Sequence, residues 1–269
     1  SLTIPDSVTS IGNGAFLGCN SLTSLNIGNS VTSIGFGAFQ SCNSLTSLSL
    51  PNSLTSLSNN AFSGCTGLTS LSIGNTLTFI GNGAFSNCSG LTSVTIPDSV
   101  TSIGISSFSG CTSLSTLNIG NSVTNIAASA FANCTSLATV NCDAVTPPNV
   151  VSTVFENVDQ FTCALNVPSS SLSSYQNAPV WQDFNPINTL LSTVNFSIEN
   201  KVVLYPNPAS TSITLQLDNS LVLEKLNFYN TLGQLIKTTN LLYTNVSDLA
   251  KGIYYLEVIT NQGKTSKTL

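Results

Sequence analysis

Cysteine is the residue type in this sequence best placed to do chemistry: there are eight, and no histidine or methionine stands beside them. Six, Cys19, Cys42, Cys65, Cys88, Cys111 and Cys134, follow one another at intervals of 23 residues. Such a file could be a metal or redox array, or a ladder of small buried thiols. Identical side chains stacked in register on paired strands lie about 4.8 Å apart, whereas bridged Cβ atoms need roughly 3.5–4.5 Å. Zinc sites draw on close pairs of the C-x₂₋₄-C kind, and none occurs here. The spacing therefore predicts a ladder of apolar thiols.

The remaining candidates for catalysis are few. Without histidine there is no Ser/His or Cys/His pair. Paired carboxylates could cleave glycosides. The repeats hold only Asp6 and Asp98, four copies apart or ~19 Å at the rung spacing, too far for either glycosidase geometry. The sequence predicts no enzyme, no cofactor and no metal site. Residues 1–200 contain no lysine or arginine and seven acids, and all six lysines lie in 201–269. That shift marks a domain boundary, and a surface so poor in cations excludes nucleic acid as a partner. No apolar run approaches the ~18 residues of a membrane-spanning helix.

The elements that carry the cysteines are legible from the same repeat. Phe16, Phe39, Phe62, Phe85, Phe108 and Phe131 keep the 23-residue step, which marks a solenoid of stacked coils. Within residues 22–44, Leu25 and Ile27 alternate with Ser24 and Asn26, the period of a half-buried strand. Gly28-Asn29-Ser30 reads as a turn and Val31 to Ile34 as a second short extended piece. The segment from Ala38-Phe39 to Cys42 suits one helical or 3₁₀ turn. Residues 1–137 are thus repeats. Ser1 falls mid-repeat, so the chain reads as a fragment or processed form whose N-terminal end held further repeats, a cap and an export signal. After Leu137 the period fails, and Tyr175, Trp181 and Phe184 can cover the end of the stack. We read 138–188 as a C-terminal cap and 189–200 as a linker. Residues 201–269 hold short alternating runs separated by Gly, Asn and Asp, a pattern of a small β-sandwich. The fold class is mainly β: a solenoid of 23-residue coils, then a small immunoglobulin-like sandwich.

The phrase LTSVTIPDSVTSIG at 91–104, continued at Phe108-Ser109-Gly110-Cys111, resembles the BspA-like leucine-rich repeat family. That resemblance implies a repeat scaffold of exported, cell-surface proteins, several linked to adhesion. The tail resembles a type IX secretion C-terminal sorting domain of type A. It does so through Tyr205-Pro206-Asn207-Pro208, Leu232-Gly233-Gln234 and Gly252 with Tyr254, with Lys264 and Lys267 near the end. This second resemblance implies the type IX machinery as a partner, and secretion or display at the outer-membrane surface of a Gram-negative, Bacteroidetes-type bacterium. Asp-Ser-Val at 6–8 and 98–100 looks like the O-glycosylation acceptor pattern of such bacteria, which would place sugar on Ser7 and Ser99; the same residues also read as plain turn residues. Export would favour a bridge between Cys142 and Cys163. Register opposes it, because Val167 is the expected neighbour of Cys142. Both readings stand at this point.

Polar files supply the binding candidates. One face would show Ser24, Asn26, Ser47, Ser49, Ser70, Ser72, Ser93, Thr95, Thr116 and Asn118. Another would show Thr9, Thr32, Thr55, Thr78, Thr101 and Thr124. Either could hold a protein or glycan partner, and the Thr file could even meet ice or a crystal surface. Equally, both could be solvation and β propensity in a spacer or coat component without a ligand.

Overall fold

The computed structural model describes residues 1–190, 202–207, 209, 211–218, 221–231, 233–260 and 263–269. It divides into two compact units, Ser1–Leu190 and Leu191–Leu269.

The first unit is the solenoid. Each repeat contributes two short strands, which pair in parallel with equivalents in neighbouring coils. One sheet has six strands: Ser10–Ile11, Ser33–Ile34, Ser56–Leu57, Phe79–Ile80, Ser102–Ile103 and Asn125–Ile126. On the second face Leu2–Ile4 pairs with Leu25–Ile27 and Ser47–Ser49 with Ser70–Ser72. Five more strands continue that face: Ser93–Ile96, Thr116–Ile119, Thr139–Cys142, Ala164–Val167 and Ile187–Thr189. Register steps by one repeat throughout, as in Leu117↔Val94 and Leu117↔Val140. Apolar alternates point inward, so Leu25, Ile27, Ile34, Phe39 and Cys42 are buried with most of their equivalents in one continuous core.

The segment between the second strand and the cysteine differs from the expected helical turn. The N–H groups of Ala38, Gln40 and Cys42 close turns onto Gly35, Gly37 and Phe39, while those of Gly37, Phe39 and Ser41 cross to Asn59, Ala61 and Ser63 of the next coil. Two positions in each coil are left-handed. One column is Gly14, Gly37, Asn60, Gly83, Ser106 and Ser129; the other is Gly18, Ser41, Gly64, Asn87, Gly110 and Asn133. Glycine and asparagine tolerate positive φ, and an α-helix cannot pass through it. The alternation lets half the amides bond within a coil and half between coils.

The solenoid closes at its C-terminal end. Six near-parallel ring contacts with centroids 5.0 to 5.8 Å apart run from Phe16 to Phe155. Phe155, one residue late in sequence, still takes the next place. Trp181 and Phe184 then meet it edge-on, at 71° and 88°. A ring turned edge-on leaves no face on which another coil could stack. Trp181 Nε1 donates to the Pro148 carbonyl (2.9 Å) and Tyr175 Oη to that of Ala144 (2.8 Å). The last strand, Ile187–Thr189, and the Leu190 N–H bond to Val167 carry the solenoid two residues beyond the expected edge of the cap. The rest of the expected linker, 191–200, lies outside the described residues.

The second unit holds two antiparallel sheets. Val202–Tyr205, Ser212–Leu217 and Tyr243–Asn245 form one; Leu235–Thr239, Leu223–Tyr229, Tyr255–Thr260 and Gly263–Thr268 form the other. They share a core of Val202, Ile213, Leu215, Leu226, Phe228, Leu256 and Val258, which makes a small β-sandwich.

Candidate functional site

The buried thiols of the file are inert. Cys42, Cys65, Cys88, Cys111 and Cys134 are buried and free, while Cys19 in the first coil is exposed. Each buried thiol of the file donates to the carbonyl of the phenylalanine in the preceding coil, at 3.2 to 3.4 Å. Burial pushes the Cys134 thiol up to about 12, so it carries no nucleophilic thiolate at neutral pH. Cys142 and Cys163 are both free and buried, which corrects the possible bridge. Continuing the register Thr139↔Ala164 to Asn141↔Asn166 by one residue sets Val167 beside Cys142. The Cys142 sulfur lies instead 3.2 Å from Tyr175 Oη. Among the described residues no group of three or more Cys, Asp or Glu could hold a metal ion.

The acids of the repeats serve the stack. Asp6 Oδ1 accepts the Asn29 N–H and Asp98 Oδ1 the Asn121 N–H, as Asn52 does for Asn75. Of the two glycosylation candidates, Ser7 is exposed, whereas half-buried Ser99 donates its hydroxyl to the Leu77 carbonyl at 2.8 Å. A coil stacked on its predecessor thus engages the Ser99 hydroxyl, as it does that of Ser53, which donates to the Val31 carbonyl at 2.7 Å.

Both polar files lie on the outer surface. Thr9, Thr32, Thr55, Thr78, Thr101 and Thr124 are all exposed at the edge of the six-stranded sheet. Four of their hydroxyls donate along the stack to the coil before, Thr32 to the Thr9 carbonyl, Thr55 to Thr32, Thr101 to Thr78 and Thr124 to Thr101, at 3.1 to 3.2 Å. A second file that the sequence reading did not name does the same: Thr69 Oγ1 bonds to Thr46 and Ser115 Oγ to Thr92.

On the opposite face Ser24, Asn26, Ser47, Ser49, Ser70, Ser72, Ser93 and Thr95 are exposed, while Thr116 and Asn118 are half-buried. From Asn118 onward the file becomes an amide ladder. Asn118 Nδ2 donates to Thr95 Oγ1, and Asn141, Asn166 and Asn188 each donate to the Oδ1 of the asparagine before, at 2.7, 2.7 and 3.3 Å. The steps from Asn118 are 23, 25 and 22 residues. That irregularity hid the ladder, although the recurrence of Asn at each cap strand was a signal.

In the sandwich, Tyr205, Pro206 and Asn207 are exposed at the end of the first strand. Gly233, at φ +76°, closes the hairpin from Leu223–Tyr229 to Leu235–Thr239. There Asn230 Nδ2 donates to Gln234 Oε1 (2.8 Å), and the Gln234 N–H donates to Asn230 Oδ1 (3.0 Å). Tyr254 exchanges two backbone bonds with Leu269, and its hydroxyl reaches the Ala250 carbonyl at 3.0 Å. It lines, with Gly252 and Leu249, a cavity of about 340 Å³. Pro208 and Leu232 lie outside the described residues.

Comparison with known proteins fits this geometry. Residues 1–97 and 80–179 match the BspA type leucine rich repeat region, with six copies. The chain belongs to the BspA-type leucine-rich repeat family. Residues 203–269 match the secretion system C-terminal sorting domain. The BspA-type repeats thus carry a type IX sorting tail, which places this chain among exported proteins, secreted or displayed at the outer-membrane surface. Among solved structures, a leucine-rich repeat protein of T. pallidum is 25% identical, with a TM-score of 0.51 over 64% of this chain and 80% of that one. A leucine-rich repeat protein from Bacteroides ovatus is 26% identical, with a TM-score of 0.47 over 61% of this chain. The match spans about half, 48%, of the latter's length. No curated protein matches the chain. No helix among the described residues is long and apolar enough to cross a membrane.

Proposed function

We propose that the solenoid is the non-catalytic binding module of an exported protein, engaging a protein or a glycan through one of its polar sheet faces. The observation that carries this reading is the pairing of two regular, uncharged, hydroxyl- and amide-rich faces with a sorting tail that brings them to the cell exterior. A stack whose side chains are already held by bonds to adjacent coils loses little freedom on binding, which favours affinity. The same bonds favour a second reading, a spacer or coat component, since the Thr hydroxyls and Asn amides have work within the stack. The ice-binding reading has less support, because the hydroxyl protons of Thr32, Thr55, Thr101 and Thr124 are already held by carbonyls of the coil before.

The deciding experiment is binding of the full chain to a panel of glycans and extracellular-matrix proteins. Saturable binding makes it an adhesion module, and no binding across the panel leaves the spacer. Deletion of 201–269 in a host with the type IX machinery should abolish export.

A further inference from the structure

Large apolar side chains break the polar surface of the middle coils on one side only. Between residues 22 and 113 the exposed ones are Phe36, Phe79 and Ile105, at 52%, 42% and 51%. Phe79 lies on a strand of the six-stranded sheet, and Phe36 and Ile105 follow two such strands by two residues. The strands that carry the amide ladder expose none among the described residues, and the exposed Val145 and Phe161 lie three residues outside two of them.

Phe79 stands in a file that otherwise reads Ser10, Ser33, Ser56, Ser102 and Asn125. The register Phe79↔Ser102 and Leu57↔Ile80 sets a serine on each side of its ring, one rung away. Around this ring the polar groups are already oriented. Thr101 donates to the Thr78 carbonyl, so it offers lone pairs outward. Asn82 Oδ1 takes the Ile105 N–H, which leaves the Asn82 amide hydrogens as donors. No charge lies nearby, and the solenoid has no lysine or arginine to meet an anion.

We propose that the outer face of the six-stranded sheet is the ligand face and that it takes a neutral, extended glycan along the stack axis. Phe79 packs on the C–H face of one sugar ring, and Ser56, Ser102, Thr101 and Asn82 bond the hydroxyls of that ring and its neighbours. An isolated aromatic rimmed by uncharged donors and acceptors is the complement of a pyranose, apolar on its faces and polar at its edge. A protein partner would call for buried Trp, Tyr or Arg anchors in pockets, and this flat face has none. The amide ladder is the weaker candidate because its members bond to one another. This inference rests on the binding reading above and names its ligand class and face.

The test is affinity electrophoresis of the full chain through gels holding soluble β-glucan, galactomannan or α-mannan, with a sulfated polysaccharide for comparison. At least one neutral polymer should retard the protein. Phe79→Ser installs the residue of the neighbouring coils, so the thermal midpoint should hold. It should weaken binding about tenfold, equivalent to ~1.4 kcal/mol, while Phe79→Tyr and Asn141→Ala retain it. Retardation unchanged in Phe79→Ser, or lost in Asn141→Ala instead, would overturn the assignment of the face but leave the binding reading standing. Retardation by the sulfated polymer alone, or capture by a matrix protein with no neutral polymer bound, would overturn the glycan while sparing that reading. Silence across polymers and matrix proteins would end both.

Discussion

At the scale of single residues, repetition makes departures easy to see. Buried thiols in this stack behave as small apolar groups whose S–H satisfies a carbonyl of the coil before. A thiol reagent at pH 8 should therefore modify exposed Cys19 in the native protein and all eight cysteines once denaturant is added; rapid native labelling of several would contradict the ladder. The same burial sets the pH response. The Cys134 thiol moves from its ordinary 9.0 up to about 12, and Cys163 up to about 11. Above pH 9 the unfolded chain loses these protons while the folded one keeps them, so U binds fewer protons than N and stability falls as pH rises. Denaturation midpoints should hold below pH 9 and drop between pH 9 and about 12. Ser107 is the other exception. It occupies the place of Ala38, Ala61, Ala84 and Ala130, fully buried, with no hydrogen-bond partner for its hydroxyl. Ser107→Ala removes an unpaired polar group and should stabilise the fold by about 1 kcal/mol in chemical denaturation.

At the scale of elements, the coil is governed by how close its neighbour comes. The turn after the inner strand alternates Pro5, Gly28, Pro51, Gly74, Pro97 and Gly120 down the stack. A Cβ built on Gly28 would lie 2.7 Å from the Pro5 backbone, and one on Gly74 would lie 2.5 Å from the Pro51 carbonyl oxygen. At these positions the backbone of the preceding coil comes too close for a side chain. Gly74→Ala should cost about 1–3 kcal/mol as an overpacked site, measurable as a lower thermal midpoint, whereas Gly12→Ala has open space around its Cβ and should shift it little. The sequence showed the first strand of each coil well, because Leu25 and Ile27 follow the two-residue alternation that a half-buried strand demands. It misled in part at 38–42, where short apolar spacing resembles a helical or 3₁₀ turn and only alternate amides bond within the coil. There the deciding signal was conformational, two columns rich in Gly, Asn and Ser that hold positive φ. The Pro/Gly alternation was hidden for a similar reason: its period is two coils, and its cause is a contact between chain segments 23 residues apart.

At the scale of the whole molecule, the solenoid is a one-dimensional stack, and its end is its most consequential part. Trp181, Tyr175 and Phe184 are buried over the last coil and turn the ring column edge-on. Trp181→Ala should cost about 3–5 kcal/mol and open the terminal coil, seen as a lowered denaturant midpoint and faster amide exchange in Thr139–Cys142 and Ala164–Val167. The cap could be anticipated from its aromatics. The proposed ligand face could not, since Phe79 looks like one more apolar residue until register sets it outside, between Ser56 and Ser102. Trp181 also gives the molecule an optical property. It is the sole tryptophan, held 1% exposed at one terminus of the ring stack, so its emission monitors that terminus alone. Far-ultraviolet circular dichroism averages over every coil. A melt of the full chain in which ellipticity fades while the tryptophan spectrum stays blue would report melting that starts away from the cap, in the second unit or at the first coil. A red shift that leads the loss of ellipticity would report that unzipping starts at the cap.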